Sequence, residues 1–193
     1  MAEIVTGVCW VVVVLTWIVG AWYWGRGSRG QRQPQGSGAL WRVASVVAAV
    51  ILFRLARHHL GDITDHSLWI ELPGLVLLVA STVFTIWARV RLGRMWSGSP
   101  NVLQEHHQLR TDGPYAVTRH PIYTGLLGML VGTVLLNGLG VSLAFLVIGV
   151  GVLATRIPIE ERLMTKTFPD QYARYRTQVP RIVPGLQLLR RMH

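Results

Sequence analysis

Residues 4–24 carry no charged side chain. A helix needs about 20 mostly apolar residues to cross the roughly 30 Å hydrocarbon layer of a bilayer, so this run commits the chain to a membrane. A cleaved leader is the competing reading, but Glu3 stands where such a leader carries positive charge, and the apolar run is too long. Of all residues 51% are hydrophobic and only 15% are charged, too few charges for an ordinary soluble surface. A disordered tail is excluded on the same ground. The single cysteine, Cys9, lies inside the apolar run, which rules out a disulfide framework and a cysteine-based metal site. It is expected to be a packed, inert thiol.

Four more spans follow from hydropathy. Residues 25–38 are polar and Gly-rich and contain Pro34, a connector composition. A second span is expected at 40–60, with Arg42 and Arg54 close enough to its ends to snorkel. A third is expected at 68–88, with Glu71 and Pro73 near one end. The fourth, 122–136, and the fifth, 141–157, form a hairpin around Asn137, Gly138, Leu139 and Gly140. The expected fold is therefore an all-α integral membrane protein of five transmembrane helices. It divides into residues 1–88, three spans with their connectors, and residues 89–193, which hold the chemistry.

Lys and Arg stay on the cytoplasmic side of membrane proteins, so their distribution orients the chain. Residues 25–42, 89–119 and 156–193 hold 4, 5 and 8 of the 19, leaving only Arg54 and Arg57 elsewhere. With alternating spans, the amino terminus is outside and the carboxyl terminus cytoplasmic. The net charge of +10 is then spread over membrane-proximal loops, where it suits anionic lipid headgroups. No aromatic-studded basic motif accompanies it, so a nucleic-acid partner is not expected. Trp22, Trp24, Trp41, Trp69, Trp87 and Trp96 fall near span ends, as interfacial anchors do. Gly125, Gly128 and Gly132 line one face of the fourth span and permit close helix approach. Packing inside the chain is the expectation; the same face could serve a dimer, so the oligomeric state stays open.

Two segments are richer in functional groups than connectors need be: 104–125 (QEHHQLRTDGPYAVTRHPIYTG) and 156–184 (RIPIEERLMTKTFPDQYARYRTQVPRIVP). They flank the hairpin, which returns both to one membrane surface. Each residue alone has an ordinary explanation. Asp112-Gly113-Pro114 is a turn, Arg119 and His120 could cap a span, and Glu160 and Glu161 could open a solvated helix begun at Pro158. His106 and His107 are adjacent and point different ways, with no third ligand at metal spacing, so no metal is expected. A nucleophile elbow, a P-loop and a dinucleotide fingerprint are all missing.

Together the segments say more. His107, Leu109, Gly113, Tyr115, Arg119, His120, Pro121, Tyr123 and Gly125 are followed, after the hairpin, by Arg156, Pro158, Glu160, Glu161, Leu163, Phe168, Tyr172, Tyr175, Pro180 and Pro184. This order resembles the isoprenylcysteine carboxyl methyltransferase family, in a short prokaryotic form, over about residues 89–185. Pro169 departs from the pattern, where Gly often follows the Phe.

The resemblance implies an S-adenosylmethionine-dependent membrane methyltransferase. Its cofactor pocket would be built from the carboxyl-terminal half, open to the cytosol, with a lipophilic acceptor arriving from the bilayer of the prokaryotic inner membrane. Methyl transfer from a sulfonium is an in-line displacement that asks the protein mainly for alignment. By the same resemblance His107, Leu109, Tyr115, His120, Pro121 and Tyr123 line the cofactor site, and Glu160 or Glu161 holds a cationic or ribose part of it. Arg119 is the first candidate to steer an acceptor carboxylate, since its planar fork binds one bidentately; the cofactor carboxylate is an equally physical partner. Arg156 is the reserve. Tyr172 and Tyr175 are expected to pack a lid. Phospholipid amine or small-thiol methylation on the same architecture is the alternative, and a non-enzymatic scaffold or transporter the more distant one.

Overall fold

The structure, a computed structural model, describes residues 1–25, 67–93 and 109–182. Its helices are α1 (Ala2–Gly25), α2 (Leu68–Leu92), the single turn α3 (Pro114–Val117), α4 (Pro121–Asn137), α5 (Val141–Thr167) and α6 (Pro169–Gln178). Three of them are long and apolar enough to cross a membrane: α1 over Ala2–Gly20, α2 and α5. α4, at 17 residues, is a shorter apolar helix. The second expected span, residues 40–60, lies outside the described residues.

The bundle is assembled on small residues. A Cβ added at Gly132 would sit 2.9 Å from the backbone nitrogen of Leu78 and 3.0 Å from the carbonyl oxygen of Gly74. At Gly125 and Gly128 it would run into the side chains of Thr85 and Ser81. The glycine face of α4 is therefore spent on antiparallel contact with α2 inside the chain, where close backbone approach gains dispersion that lipid cannot supply. The polar side chains this contact buries are satisfied along their own helix: Thr85 Oγ1 donates to the Ser81 carbonyl at 2.7 Å and Thr82 Oγ1 to that of Leu78 at 2.8 Å.

α1 lies against both helices. Trp10 Nε1 donates to Thr133 Oγ1 at 3.1 Å and Asn137 Nδ2 to Thr6 Oγ1 at 3.2 Å, so α1 is antiparallel to α4. It is parallel to α2, whose Arg89 guanidinium stands 5.9 Å from the Trp17 ring. Cys9 packs with Val13, Leu78, Met129 and Leu136 and is buried, as its sequence setting suggested. The outer faces keep Val8, Val11, Leu15, Val76, Val83, Val147 and Ile148 exposed, a surface that suits lipid and not water.

Some boundaries differ from expectation. α2 continues past residue 88 to Leu92, and Arg89 is completely buried on it instead of lying in a loop. The Trp17 face and the Gly93 carbonyl, 3.2 Å from Arg89 Nη1, give that guanidinium its partners. α5 does not restart at Pro158 but runs through it to Thr167. Its apolar part ends near Ile157 and its polar last turns carry the two glutamates onward. Pro169 takes the first position of α6, where a missing N–H costs nothing, and Phe168 both ends α5 and precedes α6.

Candidate functional site

The two polar segments do meet. The start of α4 and the polar end of α5 are brought together by the hairpin, whose turn is closed by the Gly138 N–H donating to the Val134 carbonyl at 2.9 Å with Gly138 at φ +87°. A third piece, the strap from Val179 to Ile182 that follows α6, is fastened beside them. The N–H groups of Arg119 and His120 donate to the carbonyls of Pro180 and Arg181 at 2.8 and 3.2 Å. The Thr118 and Thr124 hydroxyls donate to the carbonyls of Arg181 and Ile182 at 2.9 and 2.8 Å. These bonds satisfy backbone that would otherwise be orphaned where a helix starts, and they fix Arg119 and His120 in register.

Glu160 and Glu161 are adjacent on α5 and so face different ways. Glu161 is nearly buried. Arg119 Nη1 lies 2.8 Å from its Oε1, and Arg181 donates to it twice, Nε to Oε1 at 3.2 Å and Nη2 to Oε2 at 2.7 Å. Glu160 is more open, its side chain 27% exposed, and accepts a hydrogen bond from the Tyr123 hydroxyl. His120 sits between the two carboxylates, Nδ1 3.6 Å from Glu160 and Nε2 3.5 Å from Glu161. Its ring stacks on that of Tyr123, centroids 5.7 Å apart. Burial pulls the imidazole pKa down, but the two carboxylates outweigh that and hold it above its ordinary value.

α6 closes one side. Tyr172 and Tyr175 are buried with Val179, against Leu109, Met164 and Phe168. The Tyr175 hydroxyl donates to the Tyr115 carbonyl at 2.6 Å. Burial, with Glu161 nearby, pushes the Tyr172 phenol up to about 12.

Of the sequence-derived candidates, Arg119, His120, Tyr123, Glu160 and Glu161 form one cluster. Pro121 is buried as the first residue of α4. Tyr115 and Leu109 pack the α6 side. Arg119 turns inward to Glu161, whereas Arg156 is exposed one turn before Glu160 and close enough to act electrostatically on Tyr123. His107 lies outside the described residues. Arg181 and the two threonines went unnoticed in the sequence; the available signal was a lone cation directly after Pro180 and before Pro184, in a stretch that prolines keep extended.

Comparison with known proteins gives the chain's relatives. A family model described as phospholipid methyltransferase matches residues 69–171. Protein-S-isoprenylcysteine O-methyltransferase B of Arabidopsis thaliana is 32% identical over 145 residues, 74% of this chain and 69% of that protein. The A form from the same plant is 34% identical over 118 residues, 60% of each. The cobalt-zinc-cadmium resistance protein CzcN of Cupriavidus metallidurans is 31% identical over 156 residues, 78% of this chain and 65% of that one. The chain thus spans roughly two thirds or less of these relatives. Among solved structures, the eukaryotic intramembrane Ras methyltransferase ICMT superposes with a TM-score of 0.60 at 23% identity, over 87% of this chain and 61% of that one, which shows a shared fold.

Proposed function

The chain belongs to the isoprenylcysteine carboxyl methyltransferase family, within the phospholipid methyltransferase group, and we propose that it moves the methyl of S-adenosylmethionine to the carboxylate of a lipophilic acceptor. The cytoplasmic face is the proposed location, because the cluster's residues belong to the strongly basic sequence segments 89–119 and 156–193 and such charge is kept inside. Five spans, with the amino terminus outside, complete that reading.

The residues present fit the cofactor's chemistry. Glu160 is a carboxylate open on one side, suited to a cationic amine or ribose hydroxyls, and the His120–Tyr123 stack beside it offers aromatic surface. His120 Nε2 is buried and approaches Glu161 only at 3.5 Å, longer than a close hydrogen bond. Bound there, the cofactor supplies an electrophilic methyl on a sulfonium. The protein's part is to orient: Glu161 and its two guanidiniums hold Arg119 and the strap in place, the strap holds His120, and α6 shields the site from water.

One observation carries the choice of acceptor. Arg119, Arg156 and Arg181 gather around only two carboxylates, so the site holds more positive than negative charge. An anionic acceptor is attracted to it, while a phospholipid ammonium is repelled and must also lose a proton before attack. Arg156 and Arg119 remain the two candidates to hold that carboxylate, with Arg156 the more accessible.

The test is incubation of the purified protein with methyl-labelled donor and a membrane lipid extract, followed by mass spectrometry of the labelled species. Label on a carboxyl ester supports the proposal. Label on a headgroup nitrogen or a thiol sinks the acceptor assignment, and absence of S-adenosylhomocysteine binding by calorimetry sinks the cofactor. His120→Ala and Glu160→Ala should each weaken that binding in protein that remains folded and inserted.

A further inference from the structure

Threonines along these helices give their hydroxyl proton to the carbonyl one turn earlier: Thr82 to Leu78 at 2.8 Å, Thr85 to Ser81 at 2.7 Å and Thr133 to Met129 at 2.8 Å. Thr118 and Thr124 depart from that habit. Thr118 is completely buried, and its hydroxyl donates to the Arg181 carbonyl, 63 residues away, at 2.9 Å. Thr124 has the ordinary acceptor, the His120 carbonyl, at 3.1 Å, yet lies closer to the Ile182 carbonyl at 2.8 Å. A hydroxyl has one proton to give, and the shorter contact takes it. The two hydroxyls stand 3.3 Å apart and so act side by side on consecutive carbonyls of the strap.

They act where the backbone grip weakens. The main-chain bonds to the strap lengthen from 2.8 Å at Pro180 to 3.2 Å at Arg181, and the hydroxyl bonds at residues 181 and 182 are shorter than the second of these. Residue 181 carries the guanidinium that donates through Nε and Nη2 to both oxygens of Glu161. Glu161 in turn lies 2.8 Å from Arg119 Nη1 and 3.5 Å from His120 Nε2. A two-point contact on a carboxylate depends on direction as well as distance, since the fork must lie along both oxygens. The Arg181 side chain is half exposed, so it takes its aim mainly from the backbone that bears it.

We infer that Thr118 and Thr124 are positioning residues of the site: their hydroxyls clasp the strap, set the aim of Arg181 on Glu161, and through Glu161 fix the charge felt by His120. Both act through Arg181. The use of that charge in methyl transfer rests on the function proposed above; the clasp does not, and it is measurable without a methyl donor.

Full-length protein in detergent, with its histidines labelled with carbon-13 at ring Cε1, is titrated by NMR over about pH 5–10, an interval that spans the ordinary imidazole value and a raised one. The His120 signal is the one absent from His120→Gln. Moving a unit charge from about 6 to about 8 Å at an effective dielectric of about 20 shifts a pKa by roughly half a unit. Thr118→Val and Thr124→Val keep the branched shape and lose the hydroxyl. Arg181 then withdraws from Glu161, the anion beside the imidazole is less compensated, and the His120 pKa should rise by about that amount. Arg181→Gln should raise it at least as far. In an Arg181→Gln background the same valine substitutions should leave it unmoved, because the clasp has no guanidinium to aim. Thr118→Ser and Thr124→Ser restore the hydroxyl and should titrate like the parent. A merely structural role would lower stability in both backgrounds without moving the titration. If Thr118→Val fails to fold, Thr124→Val at its partly exposed position carries the test alone. Valine variants with the parent's His120 pKa, an equal shift with and without Arg181, no shift in Arg181→Gln itself, or serine variants that titrate like valine overturn the inference. Titrations as stated, in a protein that does not bind S-adenosylhomocysteine, leave the clasp standing and remove the methyl-transfer proposal instead.

Discussion

Replacing Glu161 by Gln separates a buried charge cluster from a surface one. In the parent, Glu161 and Arg119 have side chains only 7% and 9% exposed, while the Arg181 side chain is 50% exposed. Glu161→Gln leaves the Arg119 guanidinium in low-dielectric surroundings without the anion that balances it, and His120 with Glu160 alone. Removing one partner of a buried pair costs about 3–5 kcal/mol; the amide still accepts one hydrogen bond, so about 3 kcal/mol is the figure to expect. Arg181→Gln breaks a pair whose cation is half in water and leaves Glu161 with Arg119, so its cost should stay within about 1 kcal/mol. For a chain of this size each kcal/mol moves the melting temperature by about 2–4 °C, giving a drop of roughly 6–12 °C for Glu161→Gln and about 4 °C at most for Arg181→Gln. The assay is thermal unfolding of both variants and the parent in one detergent, followed by circular dichroism and intrinsic fluorescence. Equal shifts for the two variants, or a Glu161→Gln protein as stable as the parent, would refute the assignment of Glu161 as the buried centre of the cluster.

Other outcomes follow from the packing and charges. Gly132→Ala places a methyl within 3.0 Å of α2 backbone that cannot yield, and should destabilise by about 1–3 kcal/mol in the same assay, whereas Gly7→Ala, with nothing within 4 Å, should be neutral or slightly stabilising. The His120 pKa is raised in the folded protein, so its contribution to stability is complete below about pH 6.5 and is lost as pH rises through the folded value. The melting temperature of the parent should therefore fall over that interval relative to His120→Gln, and parallel profiles would contradict it. In a Cys9→Ser background, Gly30→Cys and Arg190→Cys should both resist a membrane-impermeant thiol reagent applied from outside; modification of either overturns the proposed orientation.

What the sequence made legible is what lipid enforces. The bounds of α1 and α4 fall within two residues of the expected spans because uncharged apolar runs have only one place to go. The glycine face of α4 was readable because small residues at three- and four-residue spacing have one main use in a bilayer. Convergence of the RHPIY and EERL segments was readable because a hairpin must return its ends to one surface. Two misreadings share a cause. Arg89 was assigned to a loop and Pro158 to a helix start because each, taken alone, interrupts a helix in lipid. Arg89 is accommodated by Trp17 and the Gly93 carbonyl, and Pro158 falls where α5 passes from its apolar to its polar part, so neither cost is decisive. Arg181 was invisible for another reason: its role depends on backbone hydrogen bonds across some sixty residues of sequence, and no periodicity encodes them.

The adjacent glutamates illustrate how one helical step divides labour. A rotation of about 100° per residue points Glu161 at Arg119 and Arg181, and Glu160 at Tyr123 and the mouth of the cluster. Glu161 is committed: two guanidiniums occupy both its oxygens, and displacing either would strand a charge. Glu160 has a neutral phenol and an imidazole for neighbours and retains exposed surface, so a ligand cation can take it without breaking an ion pair between permanent charges. His120 joins the two, and its raised pKa makes it the group whose charge responds when Glu160 gains a cationic partner, because such a partner lowers the field that favours imidazolium. A ligand bearing an ammonium at Glu160 would thus lower the His120 pKa. On this reading Glu160 is the carboxylate that meets the ligand, and Glu161 the one that builds the frame around it.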